Sequence, residues 1–259
     1  MEPFLTSRTE FTVELHPLDV TAAKLDELKS IGVNRISMGV QSLNDEILSK
    51  MGRGYDVAVA ERAFALIRRY FDNAGIDLIV GYPCDRSEGV ERLKDWGLKH
   101  CSVYSLQNDR GLKDVGDDDT VLNRIHSIAG FLQSIGLCRY EISNYAVKGF
   151  ECRHNFAVWR GEDYIGLGEG ACGRVGLKRT RGVASGYEES EVSPDFDRRE
   201  RTLFRLRTKE GLDASRFPEW IGALNSQVEL GTLTRRGSVY FLTDRGTEVC
   251  DSILCELAV

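Results

Sequence analysis

Short apolar runs alternate along this chain with longer segments whose apolar residues recur at helical spacing. Phe11–Leu15 reads as a strand and precedes a helix over 21–31, where Leu25, Leu28 and Ile31 share one face and Gly32 marks the end. Arg35–Val40 is the next strand, followed by helices over 44–51 and 57–72. Ile76–Val80 precedes a helix over 87–98, and Cys101–Leu106 precedes one over 118–135. Such alternation predicts an α/β fold with a parallel sheet and crossover helices. A doubly wound sheet and a barrel both satisfy the pattern.

Parallel sheets bind ligands at the carboxyl ends of their strands, and this directs attention to three polar residues. Glu14 lies near the end of the first strand, Gln41 ends the apolar run RISMGVQS, and Asp77 sits inside the third strand. An amide or carboxylate in such a place costs about 1–3 kcal/mol if left without a partner. Internal pairing, for instance of Asp77 with Arg35 or Arg53, or exposure at a strand end would account for any one of them. Three at equivalent places favour a shared site.

After residue 138 the pattern changes. Residues 139–173 mix aromatic side chains with His154, Asn155 and glycines 166, 168, 170 and 173. The GLGEG run is a weak phosphate-binding signal because it does not clearly follow a strand and open a helix. Residues 174–197 are polar and read as an exposed connection, so the expected organisation is 1–173, 174–197 and 198–259. The last part reads as helices, a hairpin around Gly237 and a closing helix, a small winged-helix-like α+β module. Its basic segments RTLFRLR and TRRG are diluted by Glu210, Glu219, Glu229, Glu248 and Glu256, which favours packing or partner binding over DNA readout.

Composition narrows the field. The 259 residues are 42% hydrophobic and carry a net charge of −6, which disfavours broad attraction to nucleic acid. No apolar run approaches the ~20 residues of a membrane span, and MEPFLTSRTEF has no secretory pattern, so a cytoplasmic location is expected. The seven cysteines, at 84, 101, 138, 152, 172, 250 and 255, are scattered rather than set at metal-site spacings. Reduced thiols and no metal site are expected.

Taken in order, VELHP, NRISMGVQSLNDEILSKMGR, IDLIVGYP, YSL, YEISNYA and RHNFAVW…YIGLG resemble the oxygen-independent coproporphyrinogen oxidase family of radical S-adenosylmethionine (SAM) proteins. The histidine–asparagine–tryptophan segment is most similar to the HemW-type haem chaperones of that family. The resemblance covers almost the whole chain and implies a partial radical SAM (β/α) barrel with a winged-helix-like C-terminal domain. It implies that Glu14, Gln41, Arg53 and Asp77 surround SAM. Carboxylates accept from hydroxyls or an ammonium group, an amide donates and accepts, and Arg53 can fork onto a carboxylate. It further implies His154 as a candidate haem ligand, with haem or porphyrin and a haem-acceptor protein as partners.

Two positions depart from the family pattern: Val158 replaces the tyrosine of HNxxYW, and Cys172 stands where relatives often carry histidine. The family's CxxxCxxC loop, which holds a [4Fe–4S] cluster, does not occur in this sequence. The chain is therefore expected to begin partway into the barrel, lacking about two strand–helix units or roughly 60 residues, and to be unable to initiate radical chemistry. A haem chaperone is the leading expectation. An oxygen-independent coproporphyrinogen III oxidase and an inactive scaffold are the alternatives.

Overall fold

The computed structural model of the chain describes residues 6, 8–82, 89–107 and 117–258. Backbone contacts divide it into two compact units, Met1–Glu151 and Cys152–Val259.

In the first unit, strands alternate with helices whose first turns are closed by polar side chains. β1 (Thr12–Leu15) leads to α1 (Ala22–Ser30), where Thr21 Oγ1 accepts from the Lys24 N–H at 3.2 Å. β2 (Arg35–Gln41) leads to α2 (Asp45–Lys50), capped by Asn44, and α3 (Val57–Tyr70), capped by Asp56. Each cap satisfies backbone donors that a helix leaves orphaned. β3 (Ala74–Val80) is followed by a 3-10 turn at Val90–Asp95 where the pattern predicts a longer helix. Gly89, with φ +88°, precedes that turn and offers no side-chain cap. Positions 87 and 88 of the predicted helix, like Cys84, lie outside the described residues. β4 (His100–Ser105), α4 (Asp118–Ser134), β5 (Cys138–Arg139) and β6 (Asn144–Ala146) complete the unit.

The strands form one sheet in the order β1-β2-β3-β4-β6-β5, parallel from β1 to β4 and antiparallel thereafter. Register separates its two faces. Ile36, Met38, Ile76, Leu78, Cys101 and Val103 belong to a core shared with Leu25, Phe64, Ile67 and Leu132 from α1, α3 and α4. The opposite face carries Glu14, Arg35, Ser37, Gly39, Gly75, Asp77, His100 and Ser102, because side chains alternate along a strand. This grouping of the helices with one face is the arrangement of a barrel wall rather than a doubly wound sheet, and it leaves the polar set pointing inward.

The second unit opens with α5 (Arg153–Trp159) and a three-stranded antiparallel sheet of β7 (Cys172–Val175), β8 (Lys178–Val183) and β9 (Gly186–Glu191). The polar stretch expected as a connection thus forms strands. β9 is exposed along its whole length, so no apolar alternation betrays it, and opposite charges such as Arg181 and Glu188 face each other across the ladder. α6 (Pro194–Phe204), β10 (Leu212–Asp213), α7 (Ile221–Glu229), β11 (Leu233–Arg236), β12 (Val239–Leu242), α8 (Asp244–Glu248) and α9 (Cys250–Ala258) build the winged-helix-like module. Its sheet runs β10-β12-β11, with the hairpin turning at Gly237. Among the described residues, no helix is long and apolar enough to cross a membrane.

Candidate functional site

Asp77 lies at the centre of the inner face. Ser37 Oγ donates to its carboxylate, 3.2 Å from Oδ1 and 3.1 Å from Oδ2, and Ser102 hydrogen-bonds it from β4. Burial is the main cause that pushes the Asp77 carboxyl above its ordinary range, with the charge of Glu14 adding to it; the two serines and Arg35 oppose the shift. Glu14 and Asp77 therefore sit close enough to sense each other. Direct pairing of Asp77 with an arginine, the alternative to a shared site, is not made among the described residues: two hydroxyls donate to it and Arg35 acts at longer range.

Gln41 ends β2 in an unusual conformation. The register between β2 and β3 shifts after Gly39, and Gln41 has φ +68°, alone among the described non-glycine residues in having positive φ. The Ser42 N–H donates back to the Val40 carbonyl at 2.8 Å, closing a three-residue turn around Gln41. Backbone strain of this kind costs about 1–3 kcal/mol and is concentrated at functional sites. The turn folds the Gln41 amide back over Gly39, where a Cβ would stand 2.5 Å from Nε2. Gly39 pairs in register with Asp77, so the amide folded over Gly39 and the carboxylate belong to the same part of the sheet.

Arg53 sits in the loop between α2 and α3, flanked by Gly52 and Gly54, both at positive φ. Its Nε is buried without a hydrogen-bond partner. Two residues on, the Tyr55 hydroxyl lies 2.9 Å from the Gly39 carbonyl and 3.0 Å from that of Val40, and donates to this pair. Burial raises the Tyr55 hydroxyl above its ordinary value, against the nearby Arg53 charge, which keeps it a donor.

Deeper on the same face, His100 is 1% exposed; its Nε2 is 2.8 Å from the Tyr140 hydroxyl and its Nδ1 has no partner. Burial, then the Arg35 charge, lowers its pKa to about 3, so the ring is neutral. Arg35 Nε and Asn144 Oδ1 are likewise buried without partners. Sequence reasoning singled out Glu14, Gln41, Arg53 and Asp77 but missed Ser37, Ser102, His100 and Tyr55. The alternation of polar residues at 35, 37 and 41 and at 100, 102 and 104 carried the signal for the first three.

His154 lies in the other compact unit, exposed on α5. Its ring meets Tyr164 edge-on at 6.2 Å, and it makes no hydrogen bond to a described residue. Trp159, by contrast, packs edge-on against Phe204 and lies beneath the Arg207 guanidinium. α5 thus turns its tryptophan inward and leaves the imidazole accessible. Among the described residues no cluster of cysteine, histidine and carboxylate could hold a metal. Cys101 and Cys250 are buried with their thiols raised by burial, and Cys138, Cys172 and Cys255 are exposed singly. Among the described residues, no cysteines are grouped to supply the thiolates of an iron–sulfur cluster.

Comparison with known proteins adds the remaining facts. Residues 4–106 match the radical SAM superfamily. The chain is 30% identical to the heme chaperone HemW of Bacillus subtilis, over 96% of this chain and 77% of that protein. It is 31% identical to the heme chaperone HemW of Lactococcus lactis, over 80% of this chain and 62% of the relative. A mouse protein, radical S-adenosyl methionine domain-containing protein 1, mitochondrial, is 30% identical over 81% of this chain, which spans only about half (51%) of it. The solved structure of coproporphyrinogen III oxidase (HemN) from Escherichia coli superposes with a TM-score of 0.82 at 18% identity, covering 98% of this chain and 70% of that one. At that identity the likeness is one of fold.

Proposed function

The chain belongs to the HemN/HemW-type radical SAM family, and from that premise we propose that it is a haem chaperone that binds SAM on the inner sheet face and haem through His154. The observation that carries the reading is the joint placement of Glu14, Gln41 and Asp77 on one strand-end face beside a loop whose Arg53 Nε is buried and unpartnered. Donors and acceptors unmatched by protein are what a zwitterionic nucleoside ligand supplies partners for. In this reading Arg53 holds the ligand carboxylate, Glu14 and Asp77 accept from its hydroxyl or ammonium groups, and the Gln41 amide both donates and accepts. SAM contributes an activated sulfonium when bound. Because the described residues offer no such set of thiolates, no radical step is assigned to them.

Haem is the cargo. The exposed His154 imidazole is a competent iron ligand, and the Tyr164 ring beside it supplies an aromatic edge. The test is a haem titration followed at the Soret band. His154→Ala is expected to weaken binding by about tenfold or more, a loss of ~1.4 kcal/mol or above. Unchanged affinity and spectrum would overturn His154 as ligand. Conversion of coproporphyrinogen to protoporphyrinogen by a full-length, cluster-loaded form would replace the chaperone with the oxidase, and failure of the chain to bind either haem or SAM would leave a scaffold.

A further inference from the structure

Gln41 is held in its turn by a residue from another element. Among the described residues, the Tyr55 hydroxyl bonds the two carbonyls, Gly39 and Val40, that stand immediately before it. The Tyr55 ring packs edge-on against His16 at 4.9 Å, and His16 caps the turn that follows β1. One side chain therefore ties three things together: the bulged end of β2, the segment after β1, and the glycine-flanked loop that carries Arg53. The positive φ of Gln41 is otherwise opposed by its own Cβ, so the turn must be stabilised from outside.

We propose that Tyr55 is a positioning residue: its hydroxyl latches the Arg53 loop to the end of β2, and so sets the Gln41 amide and the Arg53 guanidinium jointly for one ligand. Gly39 is the second part of the device, because only a residue without a Cβ leaves the space the amide occupies. The inference rests on the reading that this face binds SAM and adds to it which residues pre-organise the site. Tyr55 touches backbone, not ligand. Pre-organisation of this sort raises affinity by removing the cost of ordering the groups at the moment of binding.

The experiment is calorimetric titration of the 259-residue chain with SAM, comparing Tyr55→Phe, Gln41→Ala and the double variant. Phenylalanine keeps the ring against His16 and removes only the donor. Tyr55→Phe is expected to weaken binding by about tenfold, and by a clearly smaller factor, about threefold, once Gln41 is alanine, because the latch then has the Arg53 loop alone to place. A purely structural tyrosine would instead lower affinity equally in both backgrounds, and that result, or no effect in either, would overturn the proposal. Gly39→Ala supplies the check should Tyr55→Phe fail to fold. It leaves the latch intact and displaces the amide, so the same tenfold loss is expected in the wild-type background and none beside Gln41→Ala. Additive losses there would also overturn it. A wild-type chain that binds no SAM would sink the nucleotide reading itself, an outcome distinct from wild-type binding without coupling.

Discussion

Asp77 and Asp197 are both aspartates withdrawn from water, and their surroundings could hardly differ more. Asp197 accepts from Arg174 at 2.5 Å, Arg179 at 2.8 Å and Arg201 at 2.7 Å, while Arg174 and Arg179 also reach Glu200. Burial pushes the Asp197 carboxyl up, but the bonds from Arg179, Arg201 and Arg174 outweigh it and hold it down at about 2. Asp77 has two hydroxyls, a like charge nearby and a raised pKa. A carboxylate already saturated by arginines has nothing left to offer a ligand. One kept short of partners beside other unpartnered atoms does, and the contrast separates a structural charge cluster from a candidate binding face.

The largest expected effect tests the structural half of that contrast. Asp197→Ala leaves Arg174 and Arg179 sharing Glu200 and Arg201 with the more distant Asp163, and should destabilise the second unit by about 3–5 kcal/mol. Trp159 and Trp220 lie in that unit and Trp96 in the other, so denaturant unfolding followed by fluorescence in a Trp96→Phe background reads it selectively. SAM affinity should not change. A loss under 1 kcal/mol would mean that the cluster is peripheral to stability. The pH dependence has a definite sign: because the folded pKa is depressed, this contribution is present above about 3.8 and lost as pH falls toward about 2.

The two regions were not equally legible in the sequence. Strand cores such as Ile36, Met38 and Ile76 announce themselves by alternation, and helix starts by Thr21, Asn44 and Asp56, because both signals are local. Glu14, Gln41 and Asp77 stood out as polar groups in apolar company. Ser37, His100 and Ser102 were visible only to a period-two reading, which a search for charges at strand ends passes over. The Arg174–Asp197 cluster and the Tyr55 latch could not be read at all. Each joins residues distant in sequence, and an arginine or tyrosine in a polar stretch looks like solvated surface. β9 was lost for the converse reason, since a strand exposed on both faces carries no burial pattern.

A second prediction concerns His100, the inner-face group with the most strongly shifted titration. Its folded pKa of about 3 lies below the 6.5 of a free imidazole, so the unfolded chain binds the additional proton. Stability should therefore fall as pH drops from 6.5 toward about 3, with a slope of up to ~1.4 kcal/mol per pH unit from this residue alone. His100→Leu should cost about 1 kcal/mol at pH 7 through the lost bond to Tyr140, and should flatten the slope over that window. An unchanged slope would show that the imidazole is charged or solvated in the folded chain, and that the part of the inner face around His100 is open to water.

The smallest stability effect is expected where the binding effect is large. Asp77→Asn keeps an oxygen to accept from Ser37 but abolishes the charge whose burial raises the carboxyl pKa. For a raised acid the folded state gains from protonation, so stability is present at low pH and is lost as pH rises through the folded value. At pH 7 the carboxylate is thus a cost, and the asparagine should leave the fold equally stable or up to about 1 kcal/mol more stable, while SAM affinity drops tenfold or more. Calorimetry beside denaturant unfolding reads both quantities on the same sample. Should Asp77→Asn instead destabilise the first unit by several kcal/mol, as Asp197→Ala is expected to do in the second, Asp77 would be one more internally satisfied charge. A carboxylate that the fold tolerates at a cost, and relinquishes without loss, is one retained for what it binds.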